Sequence, residues 1–187
     1  MPLIYLIRHG EAAASWDQDA DPGLSELGMK QARQVVGEMA SRLSAPLPIL
    51  SSPMRRCRET AEPLAGLWKT DIRIEPRVIE VPSPVKDLKE RHLWLRRILQ
   101  LDWPSADETA PDLVGWRARM LESLCELRQD TIVFTHFIAI NAMVSHARND
   151  VRVTNFMPDN CSVTLLALEE GRLSVMETGR EMETRVN

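Results

Sequence analysis

Two short apolar runs, each stopping at a histidine, constrain this chain more than any other feature. Leu3 to Ile7 is uninterrupted, and Ile132-Val133-Phe134 follows Thr131 in the same manner. Runs of this length suit strands buried on both faces, as in parallel sheets covered by helices. The first ends in Arg8-His9-Gly10-Glu11 and the second in Thr135-His136. In a parallel sheet the C-terminal strand ends share one side, and the ligand sites of α/β folds collect there. His9 and His136 are therefore expected to meet, although far apart in sequence.

The remaining pattern alternates helices with strands. Residues 12–24 read as a loop. Ser25 caps a helix with Ala32, Val35, Val36, Met39 and Leu43 on its apolar face. Ile49-Leu50-Ser51 is a short strand. Ser52-Pro53 reads as an N-cap with proline at the first helical position. That helix buries Met54, Cys57, Ala61, Ala65 and Trp68, and Pro63 is expected to kink or restart it. Ile72 to Ile74 is a brief strand, and Glu75 to Pro84 a loop with Glu80 at its centre. Helices follow at about 85–101 and at 113–128, where Val114, Met120, Leu121, Leu124 and Leu127 point mostly inward; an acidic loop at 105–111 separates them. A helix runs from His136 to about Ala147. Residues 163–168 and 173–176, split by Glu170-Gly171, close the chain as a hairpin. The expectation is an α/β fold of three layers: a mainly parallel central sheet with an antiparallel edge, flanked by helices. Residues 1–187 fit one domain, within which 80–112 is expected to cap the substrate.

Composition excludes several classes. With 187 residues, 44% hydrophobic and 27% charged, the chain is an ordinary globular protein. A net charge of −4 argues against nucleic acid as partner. No window approaches the roughly 18 apolar residues of a membrane span, and the start lacks the pattern of a secretory signal. Cys57, Cys125 and Cys161 suit neither a disulfide framework nor a zinc spacing. The setting read from this is cytoplasmic. No metal motif and no cofactor is expected.

A lone histidine at a strand end is more often a hydrogen-bonded structural residue than a catalytic one. Pairing His9 with His136, and Arg8 with His9, weakens that reading. A guanidinium fork matches two phosphate oxygens and stays charged. A neutral imidazole nitrogen can attack phosphorus and form a covalent intermediate. Phosphoryl transfer asks mainly for positioning and for neutralisation of oxygen charge.

Four stretches, in order, resemble the histidine phosphatase superfamily, which includes the cofactor-dependent phosphoglycerate mutases. They are Arg8-His9-Gly10-Glu11 after the first strand; Leu24-Ser25-Glu26-Leu27-Gly28 with Gln31-Ala32; Ser52-Pro53-Met54-Arg55-Arg56-Cys57-Arg58-Glu59-Thr60-Ala61; and Val133-Phe134-Thr135-His136. The resemblance implies a phosphoglycerate mutase-like fold. It makes His9 the phosphate acceptor, Arg8 and Arg56 the phosphate-holding arginines, and His136 the group completing the pocket. Helix geometry alone does not choose Arg56 over Arg55 and Arg58; the motif's spacing does. Glu80 matches the family's acid, which protonates the leaving oxygen and later activates water. An ordinary loop acid is its bland alternative, and Glu90, Asp87 and Glu11 are reserves.

The chain also departs from the pattern. Phe137 stands where many members have glycine, so its backbone N–H is the phosphate-binding group expected there. After Glu80 the chain reads Val81-Pro82-Ser83-Pro84 instead of glycines and a second acid. Ala12-Ala13-Ala14-Ser15-Trp16-Asp17 differs from the mutase pattern after its first histidine. The expected activity is metal-independent hydrolysis of a phosphate monoester of a small metabolite through phospho-His9. The alternatives are a mutase-type phosphotransferase, a protein phosphohistidine phosphatase, and a phosphate-binding scaffold without turnover. Asn160 lies where it either approaches the site or serves a turn; His92 and His146 read as structural or exposed. Substrate identity and oligomeric state have no code in the sequence.

Overall fold

The run Leu3–Arg8 is strand β1, and its unbroken apolarity has a simple cause. Tyr5 and Ile7 face one layer of helices while Ile4 and Leu6 face the other, and all four are buried. The computed structural model describes residues 1–14, 18–110 and 112–182. Among these, β1 lies inside a six-stranded sheet of order β3-β2-β4-β1-β5-β6, with β2 at Ile49–Ser51, β3 at Ile72–Ile74, β4 at Thr131–Thr135, β5 at Val163–Glu169 and β6 at Arg172–Glu177. The pairs β1–β4, β2–β4 and β2–β3 are parallel; β1–β5 and β5–β6 are antiparallel. The hairpin thus supplies the antiparallel edge. Its turn needs positive φ at Glu170 and Gly171.

Helices α1 (Glu26–Arg42) and α2 (Arg55–Trp68) cover one face. Val35, Met39, Cys57, Ala61 and Leu64 pack there against Tyr5, Ile7, Ile132 and Phe134. Helices α3 (Leu88–Ile98), α4 (Trp103–Asp107), α5 (Leu113–Cys125) and α6 (Phe137–Arg148) cover the other, against Ile4, Leu6, Leu50, Val133 and Leu166. Each such aliphatic side chain contributes about 1.5–3 kcal/mol by leaving water. An aspartate at Leu6 would bury an unpaired charge and undo this core.

Four local expectations need correction. Ser52 is not the α2 cap: Met54 holds that place, and Ser52 is drawn to His136 instead. Helix α2 runs through Pro63 without a restart. The segment read as an acidic loop, 105–111, begins inside α4, which is capped by Asp102 and has a proline in its first turn. Val114 points outward at 57% exposure, whereas Leu113 and Trp116 carry the buried face of α5. No helix among the described residues is long and apolar enough to cross a membrane.

Candidate active site

Sheet register builds the site. Arg8 of β1 stands opposite Thr135 of β4, and Phe134 opposite Ser51 of β2. The next residue of each strand is His9, His136 or Ser52, so three adjacent strand ends deliver these groups side by side. Backbone bonds extend the pairing past the strands, from His9 N to Thr135 O (3.0 Å) and from Ser52 N to Phe134 O (3.0 Å). The imidazole centroids lie 5.3 Å apart.

Hydrogen bonds assign the tautomers. His9 Nδ1 lies 2.7 Å from Gly10 O; a carbonyl only accepts, so Nδ1 carries the proton and Nε2 the lone pair. Arg56 Nε donates to that lone pair at 3.1 Å. Arg56 Nη2 lies 3.2 Å from His136 Nδ1 and can only donate to it, so the His136 proton sits on Nε2, 2.8 Å from Ser52 Oγ. One guanidinium thus links both histidines. Burial, and then the Arg56 charge, holds both imidazoles well below their usual pKa, so each is neutral at pH 7.

Arg56 is 2% exposed, while Arg55 and Arg58 face solvent and Arg55 pairs with Glu59 at 2.6 Å. Burial therefore selects the arginine that the motif selected. Thr60 Oγ1 donates to Arg56 O and accepts from Gly10 N, tying α2 to the turn after β1. That turn presses against the start of α1: a Cβ on Gly28 would run into Glu11 O. Asp21, from the loop at 18–24, reaches within 3.9 Å of Arg56 Nη1. Of the variant stretch 12–17, residues 15–17 lie outside the described residues.

Arg8 enters from the opposite side. Its guanidinium carbon lies 5.2 Å from the Phe137 ring centroid, and its Nη1 donates to Pro158 O at 2.8 Å and to Met182 Sδ at 3.4 Å. Phe137 is the first residue of α6, so its N–H belongs to the turn whose donors have no partner within the helix. Asn160 does approach the site: its Nδ2 donates to His9 O at 2.9 Å.

Glu80 is brought to the site, with its carboxylate engaged. Oε1 accepts from Val81 N (2.9 Å) and Ala139 N (3.2 Å), and Oε2 from Ile138 N (3.3 Å). Burial raises its pKa, against these N–H groups and the Arg56 charge, which lower it. Its loop is fixed from both sides: Thr135 Oγ1 donates to Val78 O and the Trp116 indole to Ile79 O. The reserve acids fall away. Glu11 accepts from Ser25, Asp87 caps α3, and Glu90 is exposed. His146 is exposed, and His92 is half-buried on α3.

Sequence reasoning missed Ser52, Thr60, Thr135, Trp116 and Arg91 as parts of this neighbourhood. Glu80, Lys86 and Arg91 line a cleft of about 400 Å³. A larger hollow at the other end of the sheet, lined by Pro46 to Leu50 and Arg128, contains none of the site residues.

The model of the histidine phosphatase superfamily (branch 1) matches residues 4–180. A "Probable phosphoglycerate mutase GpmB" of Citrobacter koseri is 32% identical over 165 residues, which span 78% of this chain and 74% of that protein. The phosphoserine phosphatase of Entamoeba histolytica, in complex with 3-phosphoglyceric acid, superposes with a TM-score of 0.73 at 18% identity, covering 97% of this chain and 98% of that one. A mycobacterial glucosyl-3-phosphoglycerate phosphatase in complex with VO3 gives 0.71 at 19% identity, covering 97% and 100%. At such identities the two structures speak for the fold.

Proposed function

The chain belongs to the histidine phosphatase superfamily, and on that footing we propose that it hydrolyses a phosphate monoester of a small metabolite through a phosphohistidine at His9. The observation that carries the reading is the pairing of a neutral His9, its lone pair fixed on Nε2, with a buried arginine spanning both histidines. The phosphatase relatives are named for phosphoserine and glucosyl-3-phosphoglycerate, which supports a small phosphorylated metabolite. Free thiols at Cys57, Cys125 and Cys161 support a cytoplasmic setting.

The substrate's phosphoryl oxygens take over the donors that Arg56 otherwise gives to the histidines; Arg8 and the Phe137 N–H add to the grip. The incoming dianion offsets the arginine charges that depress His136, which then takes a proton from solvent on Nδ1 and hydrogen-bonds the anion through it. His9 Nε2 attacks phosphorus and the ester P–O bond breaks. Glu80 gives its proton to the leaving oxygen. The positive charge that develops on the imidazole is stabilised by its Nδ1–H bond to Gly10 O. Glu80, now a carboxylate, takes a proton from water as that oxygen attacks phosphorus. The P–N bond breaks, leaving neutral His9 and inorganic phosphate. The arginines neutralise the oxygen charge in this scheme, and no metal takes part.

Hydrolysis of chromogenic and metabolite phosphate esters in EDTA tests the reading, with His9→Ala as control. Turnover by wild type, loss in the variant and acid-labile label on His9 support it. Full activity in His9→Ala overturns it. Tight vanadate binding without turnover of any ester makes the protein a phosphate-binding scaffold. The name of the Citrobacter koseri relative favours a second reading, a mutase. A mutase needs a phosphorylated primer and releases little free phosphate.

A further inference from the structure

Met182, the last of the described residues, reaches the phosphate pocket. Its Sδ accepts a hydrogen bond from Arg8 Nη1 at 3.4 Å. Met182 N donates to Met157 O at 2.8 Å, Met157 N donates to Glu181 Oε2 at 2.9 Å, and Pro158 forms an antiparallel bridge with Glu181. The sulfur is therefore held beside Pro158 O, the other acceptor of Nη1. Together these acceptors take both hydrogens of that nitrogen, which leaves the edge formed by Nε and Nη2 for a ligand. Nε is buried and has no hydrogen-bond partner among the described residues. Met182 thus helps to set which edge of the Arg8 guanidinium faces the pocket.

The thioether is a weak acceptor, so its pull on Arg8 is slight. Adding one oxygen makes it a polar sulfoxide, and a charged donor bonds such an oxygen far more strongly. Met182 is also well placed to react. It is half-buried, within reach of a small oxidant, whereas Met39, Met120 and Met143 are fully buried. Met1 lies at the opposite end of β1 and Met176 on the hairpin strand β6. Met54 and Met157 are near the site, but among the described residues only the Met182 sulfur accepts from an arginine. The thiols compete poorly. Burial pushes those of Cys57 and Cys125 up, and that of Cys161 up to about 12, so little thiolate is present to react. A thioether needs no ionisation.

We propose that Met182 is an oxidation site that weakens phosphate binding: a peroxide converts it to the sulfoxide, whose oxygen captures Arg8 Nη1 and turns the Nε–Nη2 edge away from the pocket. In the reaction a sulfur lone pair takes one peroxide oxygen as the O–O bond breaks. The proton on the transferred oxygen passes to the departing hydroxide. Sulfur is oxidised by two electrons, and the peroxide is reduced to water. Reduction of the sulfoxide by a methionine sulfoxide reductase reverses the change. This assignment rests on the phosphatase reading for the role of Arg8 and adds a regulation of that site.

Treatment with dilute hydrogen peroxide, quenching with catalase and mapping of sulfoxides by mass spectrometry prepare the test. Aryl phosphate hydrolysis and vanadate inhibition are then read. Sulfoxide at Met182 is expected to weaken vanadate inhibition by about 10-fold, within the worth of one charge-assisted hydrogen bond, and to raise KM more than it lowers kcat. Methionine sulfoxide reductase is expected to restore both, and dithiothreitol neither. Met182→Leu is expected to show the same vanadate affinity before and after peroxide, while Met54→Leu and Met157→Leu respond as wild type does. Met182→Gln, which puts a carbonyl oxygen near the place of the sulfoxide oxygen, is expected to bind vanadate weakly without any oxidant. Complete oxidation of Met182 with vanadate affinity unchanged or tightened overturns the proposal and leaves the phosphatase reading standing. So does peroxide sensitivity that persists in Met182→Leu, or oxidation of Met182 no faster than that of buried Met39. If wild type turns over no ester, the phosphatase reading fails, and calorimetric vanadate binding before and after peroxide decides this proposal alone. Weaker binding that is absent in Met182→Leu sustains it; equal binding, or none at all, sinks it.

Discussion

Arg56 Nε donates to His9 Nε2 at 3.1 Å, so in the proposed mechanism the group that holds the phosphate covers the atom that attacks it. On that mechanism the contact aims the His9 lone pair at the incoming phosphorus, and phosphate oxygens open it by competing for the same donors. A lysine cannot reproduce it, because its point charge lacks the fork that spans Nε2 of His9 and Nδ1 of His136. Arg56→Lys is expected to lose about a hundredfold or more in kcat/KM. Steady-state kinetics with a simple aryl phosphate check this; a loss below threefold removes Arg56 from the pocket.

Glu80 has two possible employments: proton donor to the leaving group, or cap for the first turn of α6. Its three backbone contacts fit a cap, and its burial and raised pKa fit an acid. Leaving-group dependence separates them. A good leaving group departs without a proton, whereas an alkoxide needs one, and general acid catalysis contributes about 10²–10⁴-fold. Glu80→Gln is therefore expected to slow alkyl esters by such a factor while aryl esters with acidic phenols lose far less. Equal losses for both, with a lowered melting temperature, would leave Glu80 as a cap.

Legibility in the sequence differed by residue for physical reasons. His9 and His136 stood out because strand ends in a parallel sheet gather on one side, which follows from topology. Apolar periodicity placed Cys57, Ala61 and Ala65 on the buried face of α2, and Arg56 and Thr60 share that face. A hydrophobicity stripe is blind to polar residues buried for function, so only the motif's spacing separated Arg56 from Arg55 and Arg58. Helix α4 was hidden by its length of five residues, too short to show a helical period, although Asp102 and Pro104 mark its start. The bonds from Ile138 and Ala139 to Glu80 join segments far apart in the chain, and nothing local encodes them. Ser52 followed by proline reads as a cap, yet the stronger partner was an imidazole brought in by β4.

Stability responds to pH through the same groups. His9 and His136 are held well below 6.5, first by burial and then by the Arg56 charge. Below about pH 6.5 the unfolded chain binds protons that the native chain refuses, so stability falls as pH drops through that value towards the native ones. Glu80 acts in the opposite sense. Its native pKa lies above the unfolded one, so its burial penalty is fully present only above the native value and shrinks as pH falls through it. With two histidines against one carboxyl, urea unfolding is expected to show lower stability at about pH 5.5 than at 7.5. His9→Asn is expected to show a smaller drop than wild type; an unchanged drop means that His9 is not buried as the neutral ring.

Phe137 offers the sharpest check on Arg8, because glycine is common in the family at this position and the ring here does work a glycine cannot. It lies 5.2 Å from the Arg8 guanidinium carbon, while Pro158 O and Met182 Sδ take one nitrogen from the side. Such a stack is worth roughly 0.5–2 kcal/mol, or up to about thirtyfold in affinity. Phe137→Leu keeps an apolar side chain in the core but lets the guanidinium turn; Phe137→Tyr keeps the aromatic face. The first is expected to weaken vanadate inhibition by about 3–30-fold and to raise KM more than it lowers kcat, and the second to restore both. If the leucine variant binds vanadate as tightly as wild type, Arg8 is positioned by Pro158 and Met182 alone. If both variants lose binding alike, the Phe137 position matters for packing and not for its ring.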